Sequence, residues 1–444
     1  MIITKNKINR FVAVLLCAVT LLLWGAALPS FASSQPDTPY TEHAVVYNID
    51  SGTLMYEEAA DVEVYPAGTV KIMTALLTLE HFKDTSAEIT VTPEMIEGIQ
   101  GNTAGFDEGE VLTVEQLLAA LIISNSNDAA NILACAVAGN TGAFLDAMNA
   151  RAEELGMTST EYMNVTGIHH SRMKTSARDV LTVTVEAAKY QLYENLASSA
   201  VYTLPATNTA KERTLRNRNY FVSTFYNLNY YRESVSGLSC SYTAEAGTCL
   251  SLVGTNSDGL RFIAVVMGAN VPEEPEEGVI YACEDALGLL SWAYRSYKYF
   301  TVVGTGDMIC EIPVSLSSSV DHVIALPAEK ITAFLPSDTD LTSALRTEYT
   351  LNDQSLVAPV SKGQVIGSLT AFVDDREVGR VDLIAKNNVD RSMWLSLRER
   401  IVAFFTHPLV ILLIAAALIF ILLVVVLVAI RIAKTNNKVK YKRK

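Results

Sequence analysis

Half of the 444 residues are hydrophobic, and 34 Lys and Arg stand against 48 Asp and Glu for a formal charge of −14. That length holds two domains and a large core, and the acidic balance argues against nucleic acid as a partner, because phosphates are held by clustered cations. The ends are the exception: without the three basic residues before position 11 and the seven after position 430, 24 cations face 48 acids, a charge of −24 for the remainder.

Lys5, Lys7 and Arg10 precede an apolar run over residues 11–28, and Ser30-Phe31-Ala32 supplies small residues where a signal peptidase would cut. Residues 1–32 are therefore expected to be a secretory signal peptide, absent from the mature chain. A strand pair is expected from His43-Ala44-Val45-Val46-Tyr47-Asn48-Ile49 and Thr53-Leu54-Met55-Tyr56, joined by the turn residues Asp50-Ser51-Gly52. Ile72, Leu76 and Leu79 recur at helical spacing, and Thr113-Val114-Glu115-Gln116 reads as a capping box opening a helix through Ile123. Further helices are expected over residues 141–155, 176–192 and 279–297. Runs at 235–240, 248–254 and 261–267 predict adjacent antiparallel strands, so residues 33–300 form an α/β domain of helices on a mostly antiparallel sheet.

After Phe300, short β-prone runs such as Glu311-Ile312-Pro313-Val314-Ser315-Leu316 and Gln364-Val365-Ile366-Gly367-Ser368-Leu369 predict a small β domain over residues 301–390. Residues 391–408 mix Met393, Trp394, Leu397, Ile401 and Phe404 with Arg398, Glu399 and Arg400. Such a segment is either an amphipathic helix lying at a membrane interface or a linker helix running on into the membrane. Residues 409–430 are uncharged and apolar over enough length to cross a hydrocarbon core of about 30 Å, which predicts a single transmembrane helix. The tail, residues 431–444, carries seven cations and no acid; the positive-inside tendency places it in the cytoplasm and the folded domains outside the cell.

From Tyr65 to Glu80 the chain reads Tyr-Pro-Ala-Gly-Thr-Val-Lys-Ile-Met-Thr-Ala-Leu-Leu-Thr-Leu-Glu, which resembles the active-site helix of the D-alanyl-D-alanine carboxypeptidases, a branch of the penicillin-binding serine peptidases. Leu112-Thr113-Val114-Glu115-Gln116-Leu117-Leu118, Asn127-Asp128-Ala129-Ala130, Asn164-Val165-Thr166-Gly167-Ile168 and Ser176-Ala177-Arg178-Asp179 carry the likeness along the chain in the same order. Ser361-Lys362-Gly363 carries it into the second domain. The resemblance implies a β-lactamase/transpeptidase-like domain, a β-rich C-terminal domain and a membrane anchor. It implies no cofactor.

In that family a serine stands where this chain has Gly68. The Ser-x-x-Lys pattern works because residues i and i+3 share a helix face, bringing the amine that Lys71 retains to the hydroxyl it activates. Thr69 does not replace the serine, since it lies two residues from Lys71, about 200° around the helix. The second motif, Ser-x-Asn, corresponds to Asn125-Ser126-Asn127: Asn125 takes the relay-serine position, the amide of Asn127 is kept, and a hydroxyl appears one place on at Ser126. Counting back from Asn127-Asp128 favours this register over one using Ser124. The third motif, Lys-Thr-Gly, reads Ser239-Cys240-Ser241. It lacks the cation that would grip a substrate carboxylate, a contact worth about 1.5–3 kcal/mol, and Ser241 adds a side chain where glycine allows close approach.

With none of the three motifs intact, the resemblance implies a catalytically inactive homologue that binds a peptidoglycan stem peptide or a wall-synthesis protein. The alternative is a weak or altered serine-type carboxypeptidase that trims stem peptides through Ser126, Ser239, Ser241 or a water held by Lys71. A sensor signalling through the membrane helix is a third class, although the tail is too short to fold as an output domain. Lys71 is expected to keep a structural hydrogen bond to Asn127 or to a carbonyl.

The remaining signals are plainer. Cys135, Cys240, Cys249, Cys283 and Cys310 are odd in number and widely spaced, unlike a disulfide framework, with Cys240 and Cys249 a candidate bridge across the hairpin over residues 242–248 and Cys135 a buried small hydrophobe. His169-His170 points apart on most backbones and has no ligand cluster around it, so no metal is expected. The aromatic residues at 220–231 serve packing before glycan stacking. Arg213, Arg216 and Arg218 are read either as the family's substrate-side loop or as solvated surface.

Overall fold

The computed structural model describes the backbone of residues 35–441 and, outside Leu238, Ser239 and residues 433–441, their side chains. The expected signal peptide lies outside the described residues. The chain divides into two units that part near residue 298.

In the first unit β1 (His43–Asn48) and β2 (Thr53–Glu58) form the expected hairpin, followed by α1 (Val70–His81), α2 (Val114–Ile123), α3 (Asn127–Ala138), α4 (Thr141–Glu154), α5 (Ala177–Ala187) and α6 (Gln191–Ala197). Strands β3 (Val235–Thr243), β4 (Gly247–Thr255) and β5 (Arg261–Ala269) come next, and α7 (Tyr281–Ser296) closes the unit. The sheet order is β2-β1-β5-β4-β3, with β1 antiparallel to β5 and His43 opposite Met267. Successive residues of a strand face opposite sides, and β5 uses both. Ile263, Val265 and Met267 join the main helical core, whereas Phe262 packs its ring 5.2 Å from that of Tyr294 on α7. The sheet is thus covered on two faces, which is why β4 and β5 read as continuous apolar runs.

Helix α2 is buried on every side from Leu117 to Ile123, as a helix apolar all round must be. Its capping box is formed, with Thr113 and Gln116 each bonding the other's backbone N–H. Helix α3 went unread in the sequence; it ends at Gly139 in the left-handed region, φ 83°, the usual helix stop. Cys135 on α3 is half-buried rather than a core residue. The single helix expected over residues 176–192 is two, α5 and α6. The run Thr182-Val183-Thr184-Val185 is β-branched and a weak helix former, Lys189 and Tyr190 close on carbonyls three residues back, and Tyr190 is extended.

The second unit holds a six-stranded sheet. Its strands are β6 (Cys310–Ser315), β7 (His322–Pro327), β8 (Leu345–Leu351), β9 (Leu356–Val357), β10 (Val365–Val373) and β11 (Arg376–Ala385), in the order β8-β10-β11-β7-β6-β9. Ile312, Val323, Ala325, Leu369, Ala371 and Leu383 form its core. Helix α8 (Met393–Thr406) buries none of its residues. It is separated from α9 (Pro408–Tyr441) by His407, extended at φ −63° and ψ 129°, as a residue before proline tends to be. The segment before the span is therefore a helix of its own and not the first turns of the span. Over Pro408–Ile432, 25 residues, α9 is long and apolar enough to cross a membrane, and it is the one such helix among the described residues.

Candidate active site

Three segments converge at the start of α1. A 3-10 turn over Ala67–Thr69 leads into the helix, and its shape depends on a neighbour: a Cβ on Gly167 would lie 2.0 Å from the Ala67 carbonyl oxygen, so the loop after Asn164 can approach this turn only with glycine there. Asn164 holds that loop, accepting from the N–H groups of Thr166 at 3.1 Å and Gly167 at 2.7 Å.

The space beside Gly68 is filled. The Gly68 N–H donates to Ser241 Oγ at 3.0 Å, and the Ser241 hydroxyl donates onward to the Cys249 carbonyl at 3.2 Å. A Cβ placed on Gly68 would meet Ser241 Cβ at 2.8 Å, Ser241 Oγ at 3.0 Å and Asn125 Nδ2 at 3.2 Å. An N–H at a helix start is the kind of donor that acyl-transfer sites aim at a developing oxyanion; here it is already satisfied by a side chain. The structure thus brings Gly68, Asn125 and Ser241 together, and the Ser241 hydroxyl and the Asn125 amide stand in the space a side chain at position 68 would need.

Lys71 is 2% exposed and donates from Nζ to the Thr166 carbonyl at 2.5 Å. Of the two partners expected for it, the carbonyl is the one found. Burial with no facing carboxylate lowers its pKa to about 7, so near neutrality the amine is partly uncharged and has a lone pair, as a general base would. No hydroxyl stands at position 68 to receive its help.

Of the second-motif residues, Ser126 and Asn127 are buried and Asn125 is half-buried. Asn125 sits in the left-handed region at φ 54°, and its Oδ1 is buried without a hydrogen-bond partner. Asn127 spends its amide on the Gln100 carbonyl at 2.7 Å. Ser126 is wholly buried and bonded to Asp128, whose carboxylate also accepts from the N–H groups of Ala104 at 3.0 Å and Gly105 at 2.8 Å. A buried hydroxyl tied to a carboxylate reaches no substrate, which removes Ser126 from the candidates for an altered hydrolase. Ser124 bonds the Ala120 carbonyl within its own helix. The Ser239 side chain lies outside the described residues. Cys240 and Cys249 are both free, and it is Ser241, not Cys240, that stands opposite Cys249 across the strands.

Sequence reasoning missed Glu110, which is fully buried and paired with Arg213; Arg213 in turn lies 5.0 Å over the Phe106 ring. That arginine is a structural strut under the loop carrying Gly105 and not solvated surface. Arg216 lies over the exposed Phe225 ring at 4.5 Å. His169 stacks edge-on against Tyr65, His170 accepts from the Arg172 N–H, and no group of ligands able to hold a metal occurs among the described residues.

An open cavity of about 360 Å³ remains alongside, lined by Ile99, Gln100, Asn131, Leu145, Asn164 and Thr166 among others. Its mixture of amides, hydroxyl and aliphatic groups suits a peptide. A larger cavity of about 650 Å³ opens near the β3–β4 turn, with Glu42, Glu63, Lys174 and Glu245 in its wall, and it contains none of Gly68, Lys71 and Asn127.

The family model for D-alanyl-D-alanine carboxypeptidase matches residues 30–271, and that for the penicillin-binding protein 5 C-terminal domain matches residues 297–391. The D-alanyl-D-alanine carboxypeptidase DacF of Bacillus subtilis is 25% identical over 407 residues, covering 90% of this chain and 99% of its own. The carboxypeptidase DacC of Escherichia coli is 26% identical over 374 residues, covering 78% and 83%. Among solved structures, a peptidoglycan synthesis regulatory factor (PBP3) from Streptococcus pneumoniae has a TM-score of 0.58 at 22% identity, over 79% of this chain and 99% of that one. Penicillin-binding protein 6B from Escherichia coli has the same TM-score at 21% identity, over 80% and 98%. At those identities the structural likeness speaks for the fold.

Proposed function

We propose, for a chain that belongs to the D-alanyl-D-alanine carboxypeptidase family, a noncatalytic role at the bacterial cell envelope: it binds a peptidoglycan stem peptide or a wall-synthesis protein and does not cleave it. The observation that carries this reading is the filling of the nucleophile's place by Ser241 and Asn125 beside a side-chain-free Gly68. Without a nucleophile there is no acyl-enzyme, and the hydroxyls of Ser241 and Ser126 bond to the Cys249 carbonyl and to Asp128. The peptide-sized cavity beside Asn164 and Thr166 gives a binding role somewhere to act. The purified protein is expected to stay unlabelled by a fluorescent penicillin, to release no D-alanine from a stem peptide ending in D-Ala-D-Ala, and to bind that peptide in a calorimetric titration. Labelling of any serine, or steady release of D-alanine, would establish the altered hydrolase instead.

The helix over Pro408–Ile432 supports a single-pass anchor, and the seven cations after Ile430 support a tail inside the cell and domains facing the wall. Protease added to wall-stripped intact cells is expected to digest both folded units and spare a tag placed after Lys444. A protected main domain with a digested tag would reverse this orientation.

A further inference from the structure

Strand β8 (Leu345–Leu351) ends the sheet of the second unit, with only β10 beside it among the described residues. The strand at the other end of that sheet, β9, is two residues long, a common way of protecting a sheet edge. By contrast, β8 has seven residues and no proline, and it pairs with β10 without a bulge, from Leu345 opposite Val373 to Leu351 opposite Gly367. Residues 346–350 are all exposed. The bonds flanking β8 show which backbone groups face outward: the Asp374 N–H donates to the Ala344 carbonyl at 3.2 Å, and the Asn352 N–H to the Ile366 carbonyl at 3.0 Å. Bonded positions alternate in an antiparallel pair, so the even-numbered residues bond inward to β10, while Leu345, Thr347 and Tyr349 turn their carbonyls outward. The N–H groups of Thr347 and Tyr349 point outward too, whereas that of Leu345 is taken by the Leu341 carbonyl.

This edge is complementary to itself. When it is laid antiparallel on a second copy with Thr347 opposite Thr347, the sequence Leu345-Arg346-Thr347-Glu348-Tyr349 sets Arg346 against Glu348 twice and Leu345 against Tyr349 twice. Opposite charges, paired threonines and aliphatic–aromatic pairs are all stabilising across strands. The backbone agrees with that register. Thr347 exchanges both of its bonds with the Thr347 of the second copy, and each Tyr349 N–H meets the other copy's Leu345 carbonyl. Arg346 and Glu348 fall in the non-bonded pairs, where side chains come closest. The Arg346 guanidinium lies 4.5 Å over the Phe372 ring, pairs with Glu348 of its own strand and is 3.6 Å from Asp375; with five N–H donors it still has a bond for a second Glu348. Edge charges of a single sign would repel a second copy, whereas these alternate at the spacing that attracts one. We infer that β8 is a homotypic contact, through which two copies of this chain join the sheets of their second units edge to edge about a two-fold axis at Thr347. The contact goes beyond the binding role proposed for the first unit and does not depend on it.

So short a ladder makes a weak and transient contact in solution, which disulfide trapping detects. Residues opposite one another in a bonded pair have Cα atoms about 5.5 Å apart, within disulfide reach. The full-length protein in detergent carrying Thr347→Cys, treated with a mild oxidant and digested without reductant, is therefore expected to yield a peptide linked to its own copy through position 347. With Tyr349→Cys the two substituted positions lie four residues out of register, about 13 Å apart, and linking should be roughly tenfold slower. Adding Arg346→Glu or Glu348→Arg to Thr347→Cys puts like charges opposite one another and should slow linking by roughly tenfold in either protein alone. An equimolar mixture of those two proteins restores both opposite-charge pairs, and it should link rapidly between unlike copies. All these positions are exposed, so the unfolding temperatures should match that of the parent. The inference is overturned if position 347 links no faster than position 349, if linking is indifferent to the charge reversals, or if the mixture links no faster than its components.

Discussion

Replacing Gly68 by serine is expected to destabilise the protein by about 1–3 kcal/mol, the usual cost of forcing atoms into a packed site, and to produce no penicillin-labelled species. Gly68 has no positive φ, so its backbone accepts a side chain; the obstacle is space, with Ser241 Cβ only 2.8 Å from the new atom. That neighbour is bound to its own backbone and cannot swing aside as the tip of a long chain would. Removing it as well, in Gly68→Ser with Ser241→Gly, should recover most of the loss, so the pair is expected to couple by about 1–2 kcal/mol in a double-mutant cycle read by urea unfolding. Labelling would still need the relay and the cation, and the five changes Gly68→Ser, Asn125→Ser, Ser239→Lys, Cys240→Thr and Ser241→Gly together are the first combination expected to react. A Gly68→Ser protein as stable as its parent and efficiently labelled would mean that Ser241 does not occupy the nucleophile's place.

Lys71→Met is expected to stabilise the protein at neutral pH by an amount on the order of a few kcal/mol, and the gain should shrink as pH rises. The lysine's pKa falls from 10.5 in the unfolded chain to about 7 in the folded one. Between those values the unfolded state binds the extra proton, so the parent gains stability with rising pH across that window and carries its full burial penalty below about 7. Methionine has no proton to bind. Near pH 10 the variant retains only the loss of the bond to the Thr166 carbonyl, about 1 kcal/mol, and should be the less stable of the two. Asp285 acts in the opposite sense, since burial raises its pKa to about 7 and its contribution fades as pH climbs toward that value; it is common to both proteins and cancels in the difference. Urea midpoints of parent and variant from pH 6 to 10 measure this, and a difference independent of pH would place a hidden counter-charge beside Lys71.

The elements that could be read from sequence were those whose local chemistry announces them. Thr113 and Gln116 mark a helix start in four letters, and the apolar runs of β4 and β5 mark strands covered on both faces. Strand β8 could not be read because its side chains are mostly exposed, so no alternation of apolar and polar residues records which face it buries. At the site, sequence identified which positions depart from the motif, but not what replaces the missing groups. Ser241 filling the space beside Gly68, and Ser126 turned into Asp128, depend on side-chain directions set by an irregular strand pairing and a left-handed Asn125. Glu110 and Arg213 lie about a hundred residues apart, and no spacing rule links them.

The pairing of β1 with β5 ties the beginning of the first unit to nearly its end, His43 against Met267. As the chain emerges in order, β1 can bond to β2 at once, but its other edge has no partner until Ala269 has appeared. Closing so long a loop is slow, because the entropy is lost before the contacts are gained. Until then β1 presents a row of open N–H and C=O groups to any passing strand. The period of greatest danger for this protein is therefore its own synthesis, and a chain interrupted before residue 269 would be left with an adhesive edge and not a smaller folded domain.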